Sequence, residues 1–127
     1  PGYRPGITDM RRGLEVGMAH GYWVLGPFTK LGPLRDTDVA NIAGLISTLG
    51  MVAIMTATMA LYSASNPPQP VATVTTNGQV PATFKSPESW NNYISGFLIG
   101  GVGGAVFAYF VLTNIAIIKN VFGGLFS

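Results

Sequence analysis

The sequence predicts an all-α integral membrane protein of three transmembrane helices, with a long extramembrane loop between the second and third. Three observations carry this. Only 9% of the 127 residues are charged, against roughly a quarter in soluble globular domains. No charged residue lies between Asp38 and Lys85, and none between Glu88 and Lys119. Each of those intervals holds an apolar run long enough to cross a bilayer core of about 30 Å.

The first predicted helix covers residues 13–29, and its core reads GLEVGMAHGYWVLGPF from Gly13 to Phe28. Plain hydropathy ranks it below the other two, because Glu15 and His20 interrupt the apolar run. An ionisable group inside such a helix is costly and usually persists for a purpose, so the segment reads as a functional transmembrane helix. Arg4, Arg11 and Arg12 precede it, which places residues 1–12 on the cytoplasmic-type side. Residues 30–41 (KLGPLRDTDVAN) form a short polar loop on the opposite side, with Asp38 expected to cap the next helix.

The second helix is expected over 42–62, where Ile42 to Tyr62 gives twenty-one uncharged residues. Residues 63–86 return to the cytoplasmic-type side as a loop, and Pro67, Pro68, Pro70 and Pro81 exclude a long regular element there. Within it, Asn77-Gly78 between β-branched residues would permit a short hairpin. The third helix is expected over 87–118, its start marked by Ser86-Pro87-Glu88 and its end by Gly123 and Gly124, with 119–127 on the far side. Tyr62, Trp90 and Tyr93 stand beside the loop, as interfacial aromatics do.

Composition removes several function classes. The absence of cysteine excludes disulfides and thiolate sites. A formal charge of +2 is too small and scattered for nucleic-acid binding. There is no phosphate-binding glycine loop and no serine-histidine-acid constellation, so no catalytic machinery is recognisable. A transporter would want polar groups meeting at mid-membrane on several helices, and the second and third helices offer only Ser, Thr and Asn.

Four features could carry chemistry. His20, the single histidine, is either a hydrogen-bonded packing residue or the one axial ligand that a magnesium tetrapyrrole such as chlorophyll needs; a bis-histidine haem would require a second chain. Glu15 lies five positions earlier, about 140° away around the helix, so the two cannot share one metal. Its carboxylate could ligate a different magnesium or pair with Arg11 or Arg12. Small residues recur every fourth position, at Gly13, Gly17 and Gly21 and again at Gly96, Gly100, Gly104 and Ala108. Such stripes admit a helix or a planar ring at close range. Asp36 and Asp38, with carbonyls around Pro33, fall short of the six to eight oxygens of a calcium site, unless several copies met on an axis.

The run RGLEVGMAHGYWVLGPFTKLGPLRDT from Arg12 to Thr37, continued by DVANIAGLIS, resembles the PsaL family, subunit XI of photosystem I. Ser86 to Trp90, the glycine-rich third helix and the terminal GGLFS extend the resemblance over nearly the whole chain. It implies a non-catalytic, multi-pass subunit of the thylakoid membrane that binds chlorophyll a and β-carotene and holds the complex together as a trimer. Residues 1–12 and 63–86 would then be stromal or cytoplasmic, and 30–41 and 119–127 lumenal. By position in the motif, the resemblance implies that Glu15 and His20 are the axial magnesium ligands of two chlorophylls. It also implies a calcium ion near the oligomer contact, using the Asp36 side chain and the Pro33 carbonyl. Expected partners are the large reaction-centre subunits, the small membrane subunits, lipid and further copies of the chain. The alternative is a purely structural assembly subunit whose His20 only packs.

Overall fold

In a computed structural model, the described residues are 4–68, 70 and 80–126, and they form four α-helices and one short 3-10 turn. Helix α1 spans Asp9–Leu31, starting four residues before the expected 13–29. The reason is cap chemistry ahead of the apolar run. Thr8, in extended conformation, accepts from the Arg11 amide at 3.2 Å, and Asp9 places a carboxylate in the first turn. Pro27 lies inside the helix. It has no N–H to offer the Trp23 carbonyl four residues back.

Helix α2 spans Ala40–Ala64, but Asp38 does not cap it. Val39 occupies that position and no side chain bonds the first amides; the turn at 32–39 delivers the chain into α2 through backbone bonds, among them Ala40 N to Thr37 O at 3.2 Å, braced by Thr37 Oγ1 donating to the Leu34 carbonyl at 2.7 Å. Helix α3 spans Pro87–Thr113 and opens as the sequence predicts. Ser86 accepts from the Ser89 amide at 3.2 Å and Pro87 takes the first turn.

The expected third helix does not run unbroken to 118. At Asn114 both the backbone N–H and the side-chain Nδ2 donate to the Phe110 carbonyl, at 3.1 and 2.8 Å. This side-chain competition for a ladder acceptor coincides with the break, and helix α4 (Ile115–Phe126) follows. Gly123 and Gly124 therefore lie within α4 rather than ending a helix. The expected hairpin at Asn77-Gly78 lies outside the described residues.

The bundle is built on α1 and α3. A side chain carbon at Gly13, Gly17 or Gly21 would overlap the carbonyls of Tyr93, Phe97 and Gly101 in turn; one at Gly96, Gly100 or Gly104 would overlap those of Met10, Leu14 and Met18. The two glycine stripes thus face each other, backbone against backbone, and the paired numbers rise together, so the helices run parallel. Close approach of this kind maximises dispersion contact where solvent exclusion contributes little. Helix α2 packs antiparallel on the pair through Gly44, Thr48 and Val52, a buried row at every fourth position. Gly44 lies against the Thr29 side chain and Val52 against Gly101. Phe97, Leu25 and Val52 fill the centre.

Helices α2 and α3 are each long and apolar enough to cross a membrane. The outer faces are apolar too, with Trp23, Ile46, Ile54, Leu61, Phe107 and Phe110 all more than half exposed. Soluble monomers rarely show so continuous an apolar surface.

Candidate functional site

Helix α1 carries both residues singled out for ligation, and the structure gives each a definite hydrogen-bonding state. The His20 Nδ1 lies 2.8 Å from the Val16 carbonyl one turn back. A carbonyl only accepts, so Nδ1 is the donor in this contact, and in the neutral ring Nε2 then carries the lone pair. Nε2 has no hydrogen-bond partner among the described residues. The ring leans on Phe97 at 5.5 Å between centroids, which fixes its plane against α3. A half-buried imidazole oriented through one nitrogen and open at the other has the donor state of a metal ligand.

Glu15 is ion-paired. Arg4 Nη2 stands 2.8 Å from Oε1 and 2.6 Å from Oε2, with Arg11 Nε a looser 3.8 Å from Oε2. Of the two neighbours that helical spacing nominates, only Arg11 approaches, and the main partner comes from outside the helix. An ionised carboxylate has about four lone-pair sites, so acceptor capacity remains beside these contacts.

Arg12 is elsewhere altogether. It is only 4% exposed; its Nε donates to Thr83 Oγ1 at 3.2 Å and its Nη1 to the Arg4 carbonyl at 2.8 Å. Thr83 in turn donates to Asp9 Oδ1. These bonds fasten the 3-10 turn Ala82–Phe84 onto the first turn of α1 across 71 positions of sequence. Above them Phe84, Trp90 and Tyr93 pack with centroids about 5 to 6 Å apart, Tyr62 joins Trp90 at 5.8 Å, and Trp90 Nε1 donates to the Phe84 carbonyl. The three interfacial aromatics predicted at separate helix ends are one cluster. Nothing in the local pattern around Arg12 or Thr83 announces their pairing, because it depends on how the loop folds back.

The Asp36 side chain is 90% exposed and 3.8 Å from Arg35 Nε. Among the described residues no three His, Cys, Asp or Glu side chains converge, so one chain offers a calcium ion only isolated donors at Asp36 and Pro33. Four helix hydroxyls are satisfied locally, whereas Thr29 Oγ1 is buried without a hydrogen-bond partner among the described residues. Thr48, Thr56, Thr58 and Ser95 each donate to the carbonyl four residues back at 2.7 to 2.9 Å, and so form no polar path between helices. On the outer side of α3 and α4 lies a groove of about 810 Å³, lined by Gly103, Phe107, Phe110, Asn114, Ile117 and Ile118 among others. Its walls are almost wholly carbon.

The model of the family described as photosystem I reaction centre subunit XI matches residues 1–117. The chain belongs to that family. Subunit XI of Mastigocladus laminosus is 60% identical over 124 residues, covering 98% of this chain and 71% of the relative. That of Nostoc punctiforme is 58% identical over 123 residues, covering 97% and 71%. At greater distance, subunit XI of Thermosynechococcus vestitus is 41% identical over the whole of this chain and 77% of its own. The resemblance read from GLEVGMAHGY is therefore a family relationship, and the α1–α3 contact described above is an arrangement of a subunit XI sequence.

Proposed function

We propose that the chain is a non-catalytic photosystem I subunit of the thylakoid membrane that binds chlorophyll a through His20 and Glu15, carries β-carotene, and joins copies of the complex as a trimer. The observation that carries the pigment reading is the placement of His20, with Nδ1 spent on the Val16 carbonyl and Nε2 left without a hydrogen-bond partner among the described residues. Magnesium in a chlorophyll needs one such axial donor, and Glu15 offers a hard oxygen on another side of the same helix. Bound chlorophyll would supply light absorption and excitation transfer. The chain's own residues orient the ligand atoms, fix their spacing along one rigid helix and exclude water.

The packing of α1 on α3 supports the three-span topology. Helix α1 is less apolar than its neighbours, yet it runs parallel to α3 with backbones touching from Met10 beside Gly96 to Gly21 beside Gly101 and Ala105. A helix locked at that register shares the depth of α3, which supports a third crossing with residues 32–39 on the opposite side from the loop 65–86. The carbon-walled groove along α3 and α4 has the chemistry for a hydrocarbon such as β-carotene or a lipid chain. Calcium through Asp36 and the Pro33 carbonyl belongs to this reading only where several copies share the ion. Partners would be the large and small membrane subunits of photosystem I, lipid, and the chain itself.

Replacing His20 by Leu in the producing cells tests the pigment reading. Loss of about one chlorophyll per chain from the purified complex is expected, since one imidazole serves one magnesium. An unchanged chlorophyll count and low-temperature absorption spectrum would leave His20 as a packing residue and the chain as a purely structural assembly subunit.

A further inference from the structure

We propose that Arg4 is a positioning residue for Glu15, fixing the orientation of its carboxylate so that a remaining lone pair serves a magnesium tetrapyrrole. This rests on the reading of Glu15 as a pigment ligand.

The depth of Glu15 sets the requirement. Leu14 packs on Gly100 of α3, well inside the charge-free run between Glu88 and Lys119. A lone carboxylate at that level is costly and calls for a counter-charge. Helical spacing nominates Arg11, but Arg11 is 64% exposed and 3.8 Å away. The counter-ion in contact is Arg4, eleven positions back and outside α1.

The geometry of that contact leaves room for a metal. One nitrogen, Nη2, straddles the two oxygens at 2.8 and 2.6 Å, engaging one lone pair on each and leaving about one on each. Oε2 also faces Arg11, so Oε1 is the less crowded donor. A group bonded to a ligating carboxylate orients it and tunes the bound metal.

Arg4 is itself held. Its carbonyl accepts from Arg12 Nη1, and Arg12 is buried and tied to Thr83, which bonds Asp9. The counter-ion is thus fixed by the loop ahead of α3, and the loop's fold reaches the candidate ligand through Arg12, Arg4 and Glu15.

The test compares Glu15→Leu, Arg4→Gln and Arg4→Lys in complexes purified from the producing cells. Chlorophyll is counted per complex, normalised to this subunit's content, and low-temperature absorption difference spectra are recorded. Glu15→Leu is expected to remove about one chlorophyll per chain and so mark its band. Arg4→Gln is expected to lose that pigment or displace that band, while the band lost in His20→Leu stays in place. Should Arg4→Gln fail to assemble, Arg4→Lys decides: it keeps the charge and the pigment, but its shorter stem cannot carry the cation to the place Nη2 occupies, so a displaced band is expected and an unmoved one overturns the proposal. If Glu15→Leu removes one chlorophyll while Arg4→Gln leaves count and band unchanged, Arg4 is a surface ion pair and the ligand reading stands. If Glu15→Leu removes none, the ligand reading itself fails and this inference with it.

Discussion

Gly17 meets the carbonyl of Phe97 with no space for a Cβ between them, and one turn away Gly100 meets the carbonyl of Leu14 in the same way. The contact is reciprocal, so neither helix can relieve a side chain on the other by moving a flexible group; a whole backbone must shift. Gly17→Ala and Gly100→Ala are each expected to destabilise the α1–α3 pair by about 1–3 kcal/mol or more, the usual cost of overpacking. Gly50→Ala and Gly103→Ala, where a Cβ meets nothing within 4 Å, serve as controls. Retention of the subunit during detergent purification checks this, and equal retention of all four variants would refute the backbone contact.

The stripes themselves were legible in the sequence, because a four-residue repeat of small residues is a local pattern with a direct packing consequence. What they face was not, since a helix and a planar pigment make the same demand for a flat surface. The start of α3 was legible for a similar reason, Ser86-Pro87-Glu88 being cap chemistry written in consecutive residues. Asp38 shows the limit of that reasoning. Its type and place suit a cap, yet the backbone turn from Gly32 to Val39 sets the entry of α2 one residue later. The pairings of Arg4 with Glu15 and Arg12 with Thr83 left no trace, because they are set by chain segments 11 and 71 positions apart.

The contrast between Ser86 and Asp38 is measurable. Ser86→Ala removes a side chain that accepts from the Ser89 amide, and the expected loss is about 1 kcal/mol of local stability at the start of α3. Amide exchange at Ser89 and Trp90 should quicken. Asp38→Ala removes no cap bond, so exchange in the first turn of α2 should be unchanged within error.

The Arg12–Thr83 bond predicts coupling between the loop and α1. Thr83→Val deletes the hydroxyl that both accepts from Arg12 and donates to Asp9, leaving polar groups short of partners in a buried place at a cost of about 1–3 kcal/mol. Arg12→Met removes the buried charge and the hold on the Arg4 carbonyl. The double variant is expected to lose less than the sum of the two, because each already breaks the shared bond. Protease nicking of the loop between α2 and α3 in detergent, read as a rate, checks the sign of the difference; strictly additive rates would mean that the bond does not link the two segments.

Asn114 makes the last and most local prediction. Its side chain and its backbone both bond the Phe110 carbonyl, and the helix breaks there although the residues on either side are helical. A side chain that offers no competing donor and favours helix, as in Asn114→Leu, is expected to restore the ladder and fuse α3 and α4 into one rod from Pro87 to Phe126. Spin labels at Val102 and Phe122, both exposed, would then lie about 30 Å apart, the length of twenty residues of straight helix at 1.5 Å each, with a narrower distribution than in the parent chain. A distance and width unchanged from the parent would mean that the break is imposed by packing rather than by the Asn114 amide. The same variant exchanges the most polar wall of the α3–α4 groove for a wholly apolar one, so any change in carotenoid content would report how far that groove depends on Asn114.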